Sequence, residues 1–186
     1  TAMRCLWPLF LLLWLSPSEA SSKGFSDRYD PEIQEAVHAW WPDLPVWRLW
    51  KAQLVAESGL DPKACSQVGA CGLAQIMPGT WKDISQAMKY GAGVTPFHAR
   101  EAAAAGAYMM GNLRYQWRRD RQSLERHALA AASYNRGIGN IIKDQAECAG
   151  ARLWPSISPC TLRHTREPVD YVERIWRYWE QMESGR

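Results

Sequence analysis

The sequence predicts a mainly α fold built as one domain, and three observations carry that prediction. Apolar residues recur at three- and four-residue steps along most of the chain. Strand-type alternation is almost absent, and proline and glycine fall where helices would start and stop. No internal repeat and no linker interrupts the chain after residue 30, and 186 residues suit one core plus a targeting segment.

The elements follow in order. Asp30-Pro31 reads as an N-cap followed by proline at the first helical position, and the helix runs to about Trp41, where Pro42 stops it. A second helix starts near Pro45 and carries Trp47, Trp50, Leu54 and Glu57 on one face. A loop over residues 59–72 has turn chemistry in Gly59, Asp61-Pro62 and Gly69. A helical segment is expected over 73–77, ending at Pro78-Gly79, and a short helix from about Thr80. Residues 97–119 form a long helix around an alanine run, with further helices over 124–134 and 138–147. An irregular, proline-containing loop is expected to hold Cys148 and Cys160, and Pro168 opens a last amphipathic helix through Met182.

Residues 1–20 read as a secretory signal: Arg4, then an apolar run from Leu6 to Leu15, then small residues at Ser18 and Ala20. The run is half the length of a membrane span, so a stable membrane anchor is not expected. Residues 21–30 would be a short N-terminal linker and 31–183 the folded domain. Export gives the remaining cysteines, Cys65, Cys71, Cys148 and Cys160, an oxidising compartment. Four cysteines allow three pairings; closing the shortest loops favours 65–71 and 148–160. The formal charge of +3 falls short of a nucleic-acid-binding stripe but allows an anionic polymer such as cell wall. Eleven tryptophans suggest an aromatic core or a groove lined with flat faces, core packing being the commoner fate.

The most informative stretch is AESGLDPKACSQVGACGLAQIMPGTW, residues 56–81. Glu57 falls below Trp50 and Leu54 on the inward face of its helix. A carboxylate held against apolar groups loses hydration of its charged form, so its pKa rises. Such a group can donate a proton near neutral pH, as glycosidic cleavage requires. The plainer alternative is a helix-end glutamate paired with Arg48 or Lys51.

The surrounding residues resemble the soluble-type lytic transglycosylases, lysozyme-like enzymes that cleave peptidoglycan. Glu57-Ser58 resembles the acid-bearing pair. Ser66 and Gly69-Ala70 follow, then Gly72-Leu73-Ala74-Gln75-Ile76-Met77-Pro78. Ser133-Tyr134-Asn135-Arg136-Gly137 resembles a third element, and Glu167 with Tyr171-Val172 a fourth. Ala74 stands for the common methionine, Ser133 for alanine, and Pro168-Val169 for the usual Thr-Arg. The resemblance implies a lysozyme-like helical catalytic domain with a groove between two lobes, and Glu57 as the acid. It implies that Ser58, Ser66, Gln75, Met77, Tyr134, Asn135, Glu167 and Tyr171 shape the groove or orient the acid. Met77 and Tyr171 would also suit plain core, and Gln75 and Asn135 the satisfaction of buried backbone groups. Gly69, Gly72 and Gly137 read as backbone enablers.

Ordinary glycoside hydrolysis uses two carboxylates, and no second acid can be nominated in the 57–81 stretch, since Asp61 sits in a turn. The resemblance implies a route that needs one. Glu57 protonates the oxygen between N-acetylmuramate and N-acetylglucosamine, then takes the proton from the C6 hydroxyl as it closes onto C1. Asn135 or Tyr134 would lie near the acetamido group. The alternatives are a hydrolytic muramidase and a silent glycan-binding module; a peptidase would need a constellation that is not visible. The 65–71 loop would form one groove wall and the 148–160 loop part of the other. No cofactor or metal is expected, because His38, His98, His127 and His164 show no paired ligand spacing. Gly137-Ile138-Gly139 follows a helix and is no nucleotide loop, and the basic run over 114–121 reads as a solvated helix end. The expected partner is the peptidoglycan strand, met by an exported, periplasmic or cell-envelope monomer. A secretion, conjugation or phage apparatus would be a further partner.

Overall fold

The computed structural model describes residues 24–185. The expected signal, residues 1–20, lies outside the described residues. Among the described residues eight helices follow one another: α1 (Asp30–Trp40), α2 (Trp47–Ser58), α3 (Pro78–Ala87), α4 (Ala99–Gln116), α5 (Ser123–Arg136), α6 (Ile138–Glu147), α7 (Trp154–Thr161) and α8 (Glu167–Ser184). The extended pairing among the described residues consists of isolated antiparallel bridges, Cys65 to Cys71 and Cys71 to Ile76. The fold is mainly α, as its periodicity predicts.

The core forms where α1, α2, α4, α5 and α8 pack together. Trp41 and Trp50 are fully buried, and each indole N–H donates to a carbonyl of α4: Trp41 to Ala107 O at 2.9 Å and Trp50 to Ala103 O at 3.2 Å. Small residues on α4 make this approach possible. A Cβ on Gly106 would lie 2.7 Å from the Trp50 ring, so the helix gives up propensity there to admit the indole. Most described tryptophans serve this core, and none lines the groove described below.

α1 begins at Asp30, its expected cap, and Tyr29 takes the cap position. Asp30 is in the first turn, and its carboxylate pairs instead with the buried Lys51 of α2 at 2.6 Å. A buried ammonium without a partner would be costly, so this pair ties the two helices together. Lys51 is therefore unavailable to Glu57, and Arg48 lies against Glu183 at 4.0 Å.

Three local expectations are corrected. Residues 73–77 are not helical. Cys71 exchanges backbone hydrogen bonds with Ile76, Gln75 takes a left-handed φ of 46°, and α3 starts only at Pro78. The tight bridge leaves no room for a helical ladder. The stretch holding Cys148 and Cys160 is not irregular throughout: α7, with Pro155 in its first turn, places Trp154, Ile157, Cys160 and Thr161 in the interior at near-helical spacing despite Pro159. The run 114–121 is not uniformly solvated. Arg114 is buried, paired with Asp43 at 2.7 Å and set over Trp41 at 5.3 Å. Trp117 is buried too, donating to Ser133 Oγ at 3.0 Å, while Ser133 Oγ donates to Leu129 O at 2.7 Å. The serine that replaces alanine in the third element thus satisfies a buried indole.

Both disulfides join the nearest cysteines, Cys65 to Cys71 and Cys148 to Cys160.

Candidate functional site

α2 ends immediately after Glu57-Ser58, with Gly59 in the left-handed conformation and its N–H returned to Val55 O. The termination puts Glu57 in the last turn, facing the stapled loop. Across from it, α8 carries Glu167, Tyr171 and Arg174 at positions i, i+4 and i+7, one helical face. α5 contributes Tyr134 and Asn135 from its last turn.

These elements enclose a cavity of about 410 Å³. Of the residues singled out in the sequence, Glu57, Ser66, Gln75 and Met77 line it, as do Tyr134, Asn135, Glu167 and Tyr171. Ser58 does not; its hydroxyl donates to Leu73 O at 2.9 Å and holds the helix end to the loop. The 148–160 stretch contributes nothing to the lining, so the expected opposite wall comes from α5 and α8 instead. The 65–71 loop does form a wall, through Ser66, Val68 and Ala70.

Several lining groups are held by backbone. Ser66 Oγ accepts the Ala70 N–H at 3.0 Å, closing the loop under the disulfide. Gln75 Nε2 donates to Ala64 O at 3.0 Å and to Gly72 O at 2.9 Å, so it satisfies backbone carbonyls while facing the cavity. Gly72 has a φ of 80°, and a Cβ there would stand 1.9 Å from Pro96 O. Only glycine fits that position. Tyr134 donates its hydroxyl to Ala74 O at 2.6 Å, which leaves its oxygen able only to accept from a ligand. Asn135 Nδ2 donates to Glu167 Oε1 at 2.7 Å, while Asn135 Oδ1 has no partner.

The electrostatics centre on Glu57. Burial raises its carboxyl from the ordinary 4.5 to about 7. The Tyr171 phenol, which donates to Glu57 Oε1, opposes that rise; the negative charge of Glu167 adds to it, and Arg174 opposes it. Tyr171 and Tyr134 are themselves pushed well above the usual phenol value, by burial first and then by the Glu57 charge. Both stay protonated donors. Gln53 is buried one turn before Glu57, and neither its Nε2 nor its Oε1 has a hydrogen-bond partner. Such a site holds one carboxyl balanced between acid and base at neutral pH.

Arg174 and Val68 line the cavity as well, and the sequence motifs do not single them out. Arg174 was signalled by its place three residues beyond Tyr171 on the same face. Val68 gave no signal, because its exposure depends on the loop's path. Asp61, weighed as a second acid, is absent from the cavity lining, and its Oδ1 accepts the Lys63 N–H at 2.8 Å. Among the described residues no cluster of His, Cys, Asp and Glu could hold a metal ion.

Residues 46–153 match the family described as the transglycosylase SLT domain. No curated protein sequence matches the chain. Among solved structures, the fold resembles the 70 kDa soluble lytic transglycosylase Slt70 of Escherichia coli, with a TM-score of 0.70 and 21% identity over 86% of this chain and 25% of that one. It also resembles an inactive mutant of the lytic transglycosylase Slt of Pseudomonas aeruginosa, with a TM-score of 0.68 and 22% identity over 86% of this chain and 24% of that one. The chain therefore spans about a quarter of the length of these structures. The matched region includes Glu57 and the stapled loop, while Glu167, Tyr171 and Arg174 lie beyond it. The family and the fold agree, and the chain belongs to the transglycosylase SLT domain family.

Proposed function

We propose that the protein cleaves the β-1,4 bond between N-acetylmuramate and N-acetylglucosamine in peptidoglycan without water, leaving 1,6-anhydromuramoyl ends. The observation that carries this reading is the Glu57 carboxyl, held at about 7 in a cavity beside a phenol that donates to it. At neutral pH such a group is protonated in much of the population and can protonate the bridging oxygen. Its conjugate base then accepts the C6 hydroxyl proton as that oxygen closes onto C1. An intramolecular nucleophile has a large effective concentration over water, so the second step needs no further base. Asn135 Oδ1, an acceptor without a partner, suits the N–H of the muramoyl acetamido group. The two disulfides support an oxidising, periplasmic or cell-envelope setting.

One observation favours a second reading. Glu167 lines the same cavity, so a hydrolytic muramidase with Glu167 as base has a carboxylate to use. Its engagement with Asn135 is the argument against, since that hydrogen bond directs Oε1 toward α5.

Digesting purified peptidoglycan in ¹⁸O-water separates the two. Muropeptides lighter by one water than hydrolysis products, with no heavy oxygen, support the transglycosylase. Reducing muramic ends carrying the label would replace it with the muramidase. Glu57→Gln should fold and lose nearly all cleavage; retention of activity would remove Glu57 from the acid role.

A further inference from the structure

Arg174 is a cation that the proposed reaction does not use. It lines the Glu57 cavity, and no lysine or other arginine shares that lining. Its Nε is buried without a hydrogen-bond partner, and its guanidinium carbon stands 5.8 Å from the centroid of the Tyr171 ring. Among the described residues no carboxylate is in ion-pair contact with it. Asp170, four residues earlier and the natural helical partner, is taken by Arg166 at 3.4 Å. Two arginines at the core have carboxylate partners, Arg114 with Asp43 and Arg136 with Asp144, and Arg121, over Trp117, donates to backbone carbonyls instead. A partly buried guanidinium with an unsatisfied N–H is unfavourable, and a purely structural arginine would be expected to have a carboxylate or carbonyl partner there. Its planar fork suits a bidentate carboxylate.

We infer that Arg174 is a carboxylate-docking residue, which recognises an acidic substituent of the glycan strand beside the scissile bond. The inference rests on the proposed glycan reading of the cavity. The carboxylate has two sources with the same chemistry: a peptide stem attached to muramate, or the free lactyl group of a strand without stems. A neutral N-acetylglucosamine oligomer offers neither. Docking also acts on the acid. Arg174 favours the ionised form of Glu57. An anion bound to the guanidinium cancels that influence, so an acidic substrate helps Glu57 keep its proton until the bridging oxygen takes it.

The test measures binding apart from cleavage, in the Glu57→Gln background, by calorimetry with defined strands. The strands are stem-bearing, stem-free with lactyl carboxylates, stem-free with those carboxylates capped as methyl amides, and neutral N-acetylglucosamine oligomers. Adding Arg174→Gln should weaken binding of at least one carboxylate-bearing strand about 10- to 100-fold. Capped and neutral strands should bind alike with and without Arg174. Which carboxylate strand loses affinity identifies the source. Arg174→Lys, which keeps charge but loses the fork, should fall between. Equal weakening on all four strands would make Arg174 a general groove contact and overturn the inference, as would no weakening on any, or no binding of any strand by the Glu57→Gln protein. Thermal denaturation of the variants checks that the fold is retained. With Glu57 intact, the alkaline limb of kcat should lie above that of kcat/KM on acidic strands, and Arg174→Gln should bring the two together. Failure of the glycan reading looks different: strands bind with the Arg174 dependence but wild-type protein cleaves none.

Discussion

The phenol of Tyr171 in α8 donates its hydrogen bond to Glu57 Oε1 at the end of α2, across 114 residues of sequence. Two groups that are strangers in the chain thereby set one proton affinity. Burial alone would drive the Glu57 carboxyl higher, and the phenol, by favouring the charged form, opposes that rise.

Tyr171→Phe should therefore do two things. The alkaline limb of kcat/KM should move upward, because the group that stabilised ionised Glu57 is gone. Activity at the optimum should fall about tenfold or more as the carboxyl loses its orientation. A pH–rate profile checks both. A lower rate with an unmoved limb would reduce Tyr171 to packing.

Glu57 should also leave a signature in stability. Its folded value of about 7 lies above its ordinary 4.5, so the folded state holds a proton that the unfolded state has released in that interval. Stability is accordingly lost as pH rises from about 4.5 through 7. Glu57→Gln should be more stable than wild type at pH 8, by up to about 3 kcal/mol, with the gain vanishing below about pH 4.5. Urea unfolding at pH 4, 6 and 8 measures it. A difference that does not change with pH would contradict the raised value.

The two disulfides should separate by function. Replacing Cys148 and Cys160 with serine opens a loop of 12 residues' separation and should cost about 3 kcal/mol; the pair at 65 and 71, with a separation of 6, should cost about 2 kcal/mol. The smaller stability loss should carry the larger loss of glycan affinity, because only the 65–71 loop lines the cavity. Tm and binding measured on both double variants test the inversion. Equal affinity losses would deny the wall its role.

Gly72→Ala should destabilise the protein by about 2–4 kcal/mol, since the added methyl would meet Pro96 O at 1.9 Å on a left-handed backbone. The shift should reach Gln75, whose amide holds the Gly72 carbonyl, and raise KM. A variant with unchanged Tm and KM would show that the 59–77 loop is not held as described.

Much of this protein is determined locally and can be read from the sequence. Helical periodicity placed Glu57 inward, prolines marked the starts of α1 and α8, and short separations favoured the two cysteine pairs. These are properties of neighbours within a few residues, where chain geometry leaves few choices. Tertiary structure decided the rest. Residues 73–77 look helical by pattern, yet the Cys71–Ile76 bridge and the left-handed Gln75 override it, because closing the stapled loop satisfies more backbone than one isolated turn would. Arg114 looks like a solvated helix end, but Asp43, 71 residues away, and Trp41 take it into the interior. Glu57 reads as an acid from its neighbours, while its proton affinity depends on Tyr171, Glu167 and Arg174, all from a helix more than a hundred residues later. Charge and desolvation act through space, so the side chains that tune the acid are chosen by packing of α2 against α8.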